Sequence, residues 1–204
     1  MRDTLGMRLI PNIKIGVTGK LGAGKSTVAR ILAGLGANII DADKIGWQIL
    51  QEKRDEIVNL LGREVLEGER IDRRKVAKIV FSSRDKLEQF EAIVHPPLLE
   101  QLKKRLQRPG VVVVDAALIP YWGIEDWFDY VIWVDAPWEV RLDRMKRRGY
   151  SESDIVQRER MQDFSPQRVD FYVKNDGDMD ALVKQVRRIW EKILREASDI
   201  GGVF

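Results

Sequence analysis

The octapeptide Gly19-Lys20-Leu21-Gly22-Ala23-Gly24-Lys25-Ser26 fits the pattern G-x-x-x-x-G-K-[S/T] at every fixed position. Such a loop wraps backbone N–H groups around nucleotide phosphates, and its glycines permit the tight bend and the close approach. Lys25 can reach the β and γ phosphates as a point charge, and the Ser26 hydroxyl can ligate Mg²⁺. The residues predicted to bind the nucleotide are Gly22, Ala23, Gly24, Lys25, Ser26 and Thr27.

The flanking residues provide the setting that this loop requires. Residues 13–18 read as a short buried strand, and Val28, Ile31, Leu32 and Leu35 recur at the spacing of one helix face. A helix that begins at the loop directs its positive end at bound phosphates. The alternative, a glycine-rich turn without a ligand, fits this combination of strand, loop and helix less well.

Composition narrows the classes of protein to which the chain can belong. It has 204 residues, of which 44% are hydrophobic, and its formal net charge is +3. No cysteine is present, so disulfides, thiolate catalysis and cysteine zinc sites are excluded. The positive excess is too small to indicate a nucleic-acid partner, and the sequence has no apolar run of the length needed to cross a membrane. We expect a cytoplasmic protein that is a monomer or a small homo-oligomer.

Apolar runs alternate with helical patterns along the chain. Strands are predicted at 38–40, 111–114, 130–134 and 171–173, besides the one before the loop. This alternation predicts an α/β, three-layer P-loop NTPase or kinase fold, with a five-stranded parallel sheet covered by helices. Ligands bind such sheets at the carboxyl ends of the strands. The polar residues expected at those ends are Asp41, Asp43, Asp115, Asp135 and Asn175.

A single domain is expected, with two insertions. The core is placed at about 12–43, 109–140 and 165–204, after a short leader at 1–11. Residues 44–108 are predicted to form a helical acceptor subdomain without strands. Within it, His95-Pro96-Pro97 is expected to interrupt a helix, because proline disfavours helix in the preceding residue.

A lid is predicted at about 141–164. Arg141, Arg144 and Arg148 are spaced to lie on one helix face. Arginines that close over a phosphoryl group in transfer stabilise its charge and exclude water. We therefore expect Arg144 to act in catalysis and Arg148 to bind substrate, although a solvated basic face gives the same pattern.

The loop alone does not name the reaction. An N-K-x-D tetrapeptide, typical of GTPases, is absent, and so is a transporter signature such as L-S-G-G-Q. An acceptor subdomain and an arginine-rich lid favour a small-molecule kinase. A kinase for a nucleotide or a shikimate-like alcohol remains an alternative, and a nucleotide-dependent regulatory or nucleic-acid-associated protein is a further one.

Four segments resemble the dephospho-coenzyme A kinase family. They are residues 18–29, the stretch Leu35-Gly36-Ala37-Asn38-Ile39-Ile40-Asp41-Ala42-Asp43, the pair His95-Pro96, and Tyr172-Val173-Lys174-Asn175-Asp176-Gly177. They occur in the family's order over most of the chain. The resemblance implies ATP-dependent phosphorylation of the ribose 3′-hydroxyl of dephospho-CoA, with ATP and dephospho-CoA as partners and Mg²⁺ as cofactor.

The resemblance also implies roles for individual residues. Asp43 is the expected catalytic carboxylate that accepts or orients the hydroxyl proton. Asp41 would support Mg²⁺ or the loop, and the alternative for both aspartates is capping of the next helix. His95 would line the acceptor site, although a lone histidine before prolines is more typical of a helix end. Asp115 would act on Mg²⁺ through water.

Asn175 and Gly177 would lie beside the adenine of ATP, unless they form an ordinary turn. Two positions depart from the family's pattern. Trp47 stands where the family often has arginine, and Ala116-Ala117 begins a stretch where the family commonly has Pro-Leu-Leu ending in an acid. Both positions are expected to face the acceptor.

Overall fold

The computed structural model describes residues 12–161 and 164–201. The expected leader and residues 162 and 163 of the expected lid lie outside this part of the chain. The strands are β1 (Ile13–Gly19), β2 (Asn38–Asp41), β3 (Leu66–Glu67), β4 (Arg70–Ile71), β5 (Val111–Asp115), β6 (Tyr130–Asp135) and β7 (Phe171–Lys174). The helices are α1 (Lys25–Gly34), α2 (Ala42–Glu52), α3 (Arg54–Leu61), α4 (Arg73–Val80), α5 (Arg84–Arg105), α6 (Ile119–Trp122), α7 (Trp138–Arg147), α8 (Glu152–Met161) and α9 (Met179–Gly201).

The main sheet has the order β2-β5-β1-β6-β7, and every pair in it is parallel. The expected five-stranded parallel sheet is therefore confirmed. β1 is the central strand, so the phosphate loop leaves the middle of the sheet. Asp115 at the end of β5 is in register with both Val17 and Asp41, which brings three strand ends together beneath the loop.

Both faces of the sheet are covered, as the unbroken valine run of β5 predicts. Val111 and Val113 pack with α1 and α9 on one face. Val112 and Val114 point to the other face, where they join a core built from α2 to α5. Strand side chains alternate between the two sides, so one run of valines supports both layers.

The expected interruption at His95-Pro96-Pro97 is wrong. α5 runs unbroken from Arg84 to Arg105 with both prolines inside it. Pro96 has no N–H to donate to the Ala92 carbonyl. Since Pro96 and Ala92 are both exposed, water can satisfy that carbonyl. Val94, Leu98 and Leu102 are buried on the opposite face, and this packing holds the helix together through the prolines.

The expectation of a strand-free subdomain is also wrong. β3 and β4 form a two-stranded antiparallel hairpin with Leu66 opposite Ile71. Gly68 turns the chain with φ of 62°. Each strand has only two residues, too few for an alternating pattern to be recognised.

Pro137 is the N-cap of α7. The last strand, Phe171–Lys174, lies where the sequence places it. Within 12–161 and 164–201, no helix combines the length and the apolar character needed to span a bilayer.

Candidate active site

The phosphate loop lies between β1 and α1. Gly24 is the N-cap of α1 with φ of 101°, no side chain caps the helix, and its first turn holds no acid. A Cβ at Gly24 would overlap Nδ2 of Asn175, so only glycine fits there. The uncapped helix end, with its partial positive charge, is a site for an anion.

Lys25 folds back over this loop. Its ammonium donates to the carbonyls of Gly19 at 3.1 Å and Lys20 at 3.2 Å. Burial lowers the pKa of Lys25 below its ordinary value, against the opposing charges of Asp115 and Asp43. A phosphate group would supply the negative charge that these neutral carbonyls lack.

Asp115 lies next to Ser26 and Lys25 at the end of β5. Burial raises the pKa of Asp115, while a hydrogen bond with Ser26 and the charge of Lys25 act in the opposite direction. A carboxylate and a hydroxyl are hard oxygen ligands of the kind that Mg²⁺ prefers. In the described part of the chain, no group of three or more histidines, cysteines and acids could hold a metal alone. This pair therefore fits an ion that takes its other ligands from phosphate and water.

Asp41 and Asp43 have separate surroundings although two residues apart. Asp41 is the N-cap of α2 and accepts a hydrogen bond from the Lys44 amide at 3.1 Å. Asp43 lies in the first turn of α2 with its side chain 84% exposed, and its nearest cation is Arg73 at 3.7 Å. The capping alternative thus describes Asp41, whereas Asp43 is an exposed carboxylate paired with Arg73.

An apolar cavity of about 220 Å³ opens beside Asp43. Its wall includes Trp47, Ala116 and Ala117, the positions that depart from the family's pattern. The full lining is Ala42, Asp43, Gly46, Trp47, Leu50, Arg73, Val76, Ala77, Val80, Phe81, Leu87, Phe90, Glu91, Val94, His95, Leu98, Ala116, Ala117, Leu118, Trp122, Arg158 and Phe164. We call this the apolar cavity.

His95 is part of that wall, in the middle of α5 rather than at a helix end. Its ring meets Tyr121 and Trp122 edge-on, with centroids 5.9 and 5.5 Å away. Burial lowers the pKa of His95 to about 4, so the imidazole is neutral at physiological pH. It can therefore donate one hydrogen bond and accept another, but it brings no charge to the cavity.

The three arginines expected on one lid face have three different environments. Arg141 is buried and donates to the carbonyls of Ala136 and Leu21 and to the Glu159 carboxylate. Arg144 donates to the Ala23 carbonyl at 3.2 Å and to Asn175. Arg148 is exposed, lines a cleft together with Tyr150 and Arg158, and has a positive charge that helps to lower the pKa of Lys25.

Asn175 ties the end of β7 to the phosphate loop. Its side-chain amide donates to the Ala23 carbonyl at 2.7 Å, and its backbone amide donates to the Asp135 carbonyl at 2.7 Å. The Asn175 side chain is thus occupied by the loop and by Arg144, and its backbone carbonyl also accepts a hydrogen bond from Arg144 at 3.0 Å. Gly177 has open space around its Cα.

Sequence reasoning missed two residues that contact this region. Arg73 and Arg158 both line the apolar cavity, and both also line a second, more polar cleft. Arg158 had a weak signal, as one of several arginines in the expected lid. Arg73 had none, because only the fold brings α4 beside Asp43.

Comparison with known proteins gives a consistent result. A family model described as dephospho-CoA kinase matches residues 13–181. The dephospho-CoA kinase of Aquifex aeolicus is 35% identical to this chain over 193 residues, covering 90% of this chain and 98% of that protein. A crystal structure of TT1252 from Thermus thermophilus is 33% identical, covers 90% and 97% of the two chains, and has a TM-score of 0.72. A gluconokinase from Sinorhizobium meliloti, at 17% identity, covers 93% and 99% with a TM-score of 0.55 and shares the fold alone.

Proposed function

This chain belongs to the dephospho-CoA kinase family, and we propose that Asp43 is the catalytic base of its reaction. The reaction is the ATP-dependent phosphorylation of dephospho-CoA. The proposed target is the ribose 3′-hydroxyl, which becomes a phosphate monoester as ATP becomes ADP.

The observation that carries the proposal is the position of Asp43. It is an exposed carboxylate on the wall of the apolar cavity, and its charge is felt at the Lys25 ammonium in the phosphate loop. A ribose in that cavity would thus meet a base on one side and a bound triphosphate on the other. No other aspartate or glutamate among the described lining residues combines these two properties, since Glu91 accepts a hydrogen bond from Tyr121 at 2.5 Å.

In the proposed step, the 3′-oxygen forms a bond to the γ-phosphorus while the bond from that phosphorus to the bridging oxygen breaks. The hydroxyl proton goes to Asp43, and ADP leaves with the electron pair of the broken bond. Lys25 moves its donors from the loop carbonyls to the β and γ phosphates. The first turn of α1 holds the same anion through backbone amides.

Ser26 and Asp115 are the proposed Mg²⁺ site, Ser26 directly and Asp115 through water. When bound, the ion neutralises charge that develops on the phosphate oxygens. The position of Asp115 beside Ser26 and Lys25, at the end of β5, supports this assignment.

The contacts suggest a role for each of the remaining segments and residues of the site. We infer that residues of about 44–108 hold the acceptor and that about 141–164 form the lid. Arg144, already bonded to the loop and to Asn175, stabilises the loop and the phosphoryl group in transfer, and Arg148 binds substrate. Asn175 and Gly177 border the adenine of ATP through their backbone groups. We place the enzyme in the cytoplasm, as a monomer or small homo-oligomer.

A coupled assay tests the function. Wild-type protein with ATP, Mg²⁺ and dephospho-CoA should form ADP and CoA in equal amounts. An acceptor panel of dephospho-CoA, nucleosides and shikimate separates this reaction from other small-molecule kinases. Turnover of another acceptor, with none for dephospho-CoA, would reject the assignment.

A further inference from the structure

Arg158 separates the apolar cavity from a second cavity. This second cavity, which we call the basic cleft, has a volume of about 750 Å³ and lies between α4 and α8. Its cationic lining residues are Arg73, Arg74, Lys78, Arg148 and Arg158. Asp154 is the carboxylate of that lining, and it accepts a hydrogen bond from the Ser151 hydroxyl at 2.6 Å.

The Arg158 guanidinium lies between two aromatic rings. Its central carbon is 4.5 Å from the centre of the Phe81 ring and 5.1 Å from that of Tyr150. These contacts fix the plane of the guanidinium without using its N–H groups. The side chain is therefore oriented in advance for a hydrogen-bonding partner.

That partner is missing among residues 12–161 and 164–201. Arg158 has no carboxylate within salt-bridge distance there and donates no hydrogen bond, whereas its neighbour Glu159 pairs with both Lys20 and Arg141. Arg158 is only half-exposed, and burial lowers its pKa; the charges of Tyr150 and Asp154 oppose this shift, and the charge of Arg73 adds to it. A partly buried cation beside a second cation is costly unless an anion joins them.

We propose that Arg158 binds the diphosphate of the dephospho-CoA acceptor and directs its pantetheine arm along the basic cleft. The inference rests on the proposed function. In dephospho-CoA the diphosphate is attached to the 5′ position of the same ribose whose 3′-hydroxyl must reach Asp43. Arg73 pairs with Asp43 and also lines the basic cleft, so Asp43 lies close to that cleft.

The chemistry of the two groups matches. A guanidinium presents paired N–H donors that fit two phosphate oxygens at once, and the aromatic rings keep the donors in position. ATP is a less suitable occupant, because the proposed function already places its phosphates in the loop beside Lys25. Binding of the acceptor at Arg158 would also join α8 to α4, where Gln157 already donates to the Phe81 carbonyl.

The test is a calorimetric titration of dephospho-CoA into wild-type protein, Arg158→Gln and Arg158→Lys. We expect Arg158→Gln to weaken binding by about 10- to 100-fold, as for loss of a hydrogen bond to a charged group. The Kd of Arg158→Lys should lie between those of wild type and Arg158→Gln, since lysine keeps the charge but loses the paired donors. The matched control is Arg160→Gln, an exposed arginine of the same helix, which should change the Kd by less than about twofold.

Two further readouts distinguish contact with the diphosphate from general damage. Adenosine, which has no phosphate, should inhibit wild type and Arg158→Gln equally, and the Kd for ATP should not change. In turnover, KM for dephospho-CoA should rise more than kcat falls. If Arg158→Gln does not fold, Arg158→Lys decides the matter.

The proposal would be overturned if Arg158→Gln bound dephospho-CoA as tightly as wild type does. Where only Arg158→Lys folds, unchanged binding by that variant would overturn it. Equal losses of affinity for adenosine and for dephospho-CoA would also overturn it. The wild-type turnover assay is run beside them. Failure of wild type to phosphorylate dephospho-CoA rejects the proposed function, whereas an active wild type with an unaffected variant rejects only the role of Arg158.

Discussion

The Arg141 guanidinium lies 2.8 Å from the Glu159 carboxylate, and this pair joins α7 to α8 behind the phosphate loop. Arg141 also donates to the Leu21 carbonyl, and Glu159 contacts Lys20 at 3.8 Å. α7 and α8 are thus held to the loop by a partly buried ion pair. Arg141 holds the loop through the Leu21 carbonyl, and Arg144 holds it through the Ala23 carbonyl.

We expect Glu159→Gln to lower the free energy of unfolding by about 2 kcal/mol, because it leaves Arg141 buried without a counter-charge. The control is Asp143→Asn, which breaks the Arg147 pair of equal length. That pair is 78% and 56% exposed, against 7% and 24% for Arg141 and Glu159. The control should change stability by less than about 0.5 kcal/mol. Urea unfolding measures both, and similar values for the two variants would contradict the structural role of Glu159.

Asp43→Asn should lower kcat by about 10²- to 10⁴-fold, because the amide cannot accept the hydroxyl proton. The Kd for ATP, measured by calorimetry, should stay within about twofold of wild type, since Asp43 is outside the loop. Asp41→Ala provides the comparison. It removes the α2 cap, so it should lower stability by about 1 kcal/mol while turnover persists. Near-normal turnover by Asp43→Asn would show that another group takes the proton.

Gly24→Ala should abolish ATP binding and destabilise the protein by about 2 kcal/mol or more, because the new methyl would overlap Asn175 at a backbone φ of 101°. Gly34→Ala is the matched substitution in the same helix. No atom lies within 4 Å of its added Cβ, so it should raise stability by about 0.5 kcal/mol. Calorimetry with ATP and thermal unfolding give both values. Tight ATP binding by Gly24→Ala would mean that the loop can rearrange.

His95 should make the protein less stable as the pH falls from about 6.5 to about 4. In that window the unfolded chain binds a proton at the imidazole and the folded chain does not, because burial lowers the folded pKa to about 4. Below pH 4 both states are protonated and the effect stops growing. Allowing for partial solvent exposure, the loss relative to His95→Gln should reach about 2 kcal/mol.

His95 is the chain's single histidine, so the difference between wild type and His95→Gln isolates it from titrating carboxylates such as Glu91. Urea unfolding at a series of pH values measures the effect. A difference that does not vary with pH would place the imidazole in contact with water, as at an ordinary helix end.

The strands of the sheet could be predicted because each is specified by residues close together in the sequence. The valine run of β5 and the loop after β1 each specify their own structure within a few residues. The course of α5 could not, because the rule for proline is local while the packing of Val94, Leu98 and Leu102 that outweighs it is tertiary. The small hairpin of β3 and β4 was missed because its only signal is one glycine.

The same distinction applies to the site. The loop residues form a motif, so their positions follow from sequence. The wall of the apolar cavity is assembled from several helices and the ends of strands, and no spacing in the sequence connects Arg73 of α4 with Asp43 of α2. The even spacing of Arg141, Arg144 and Arg148 does not reveal that the three side chains differ in burial and in hydrogen-bond partner.

One face of the sheet and the helices of the acceptor side share a continuous core, in which Val112 and Val114 meet residues of α2 and α5. Exchanging α2 to α5 for the corresponding helices of another kinase would remove the side chains that pack against this face of the sheet. We therefore expect a change of acceptor preference to come from single replacements along the wall of the apolar cavity and not from exchange of whole modules.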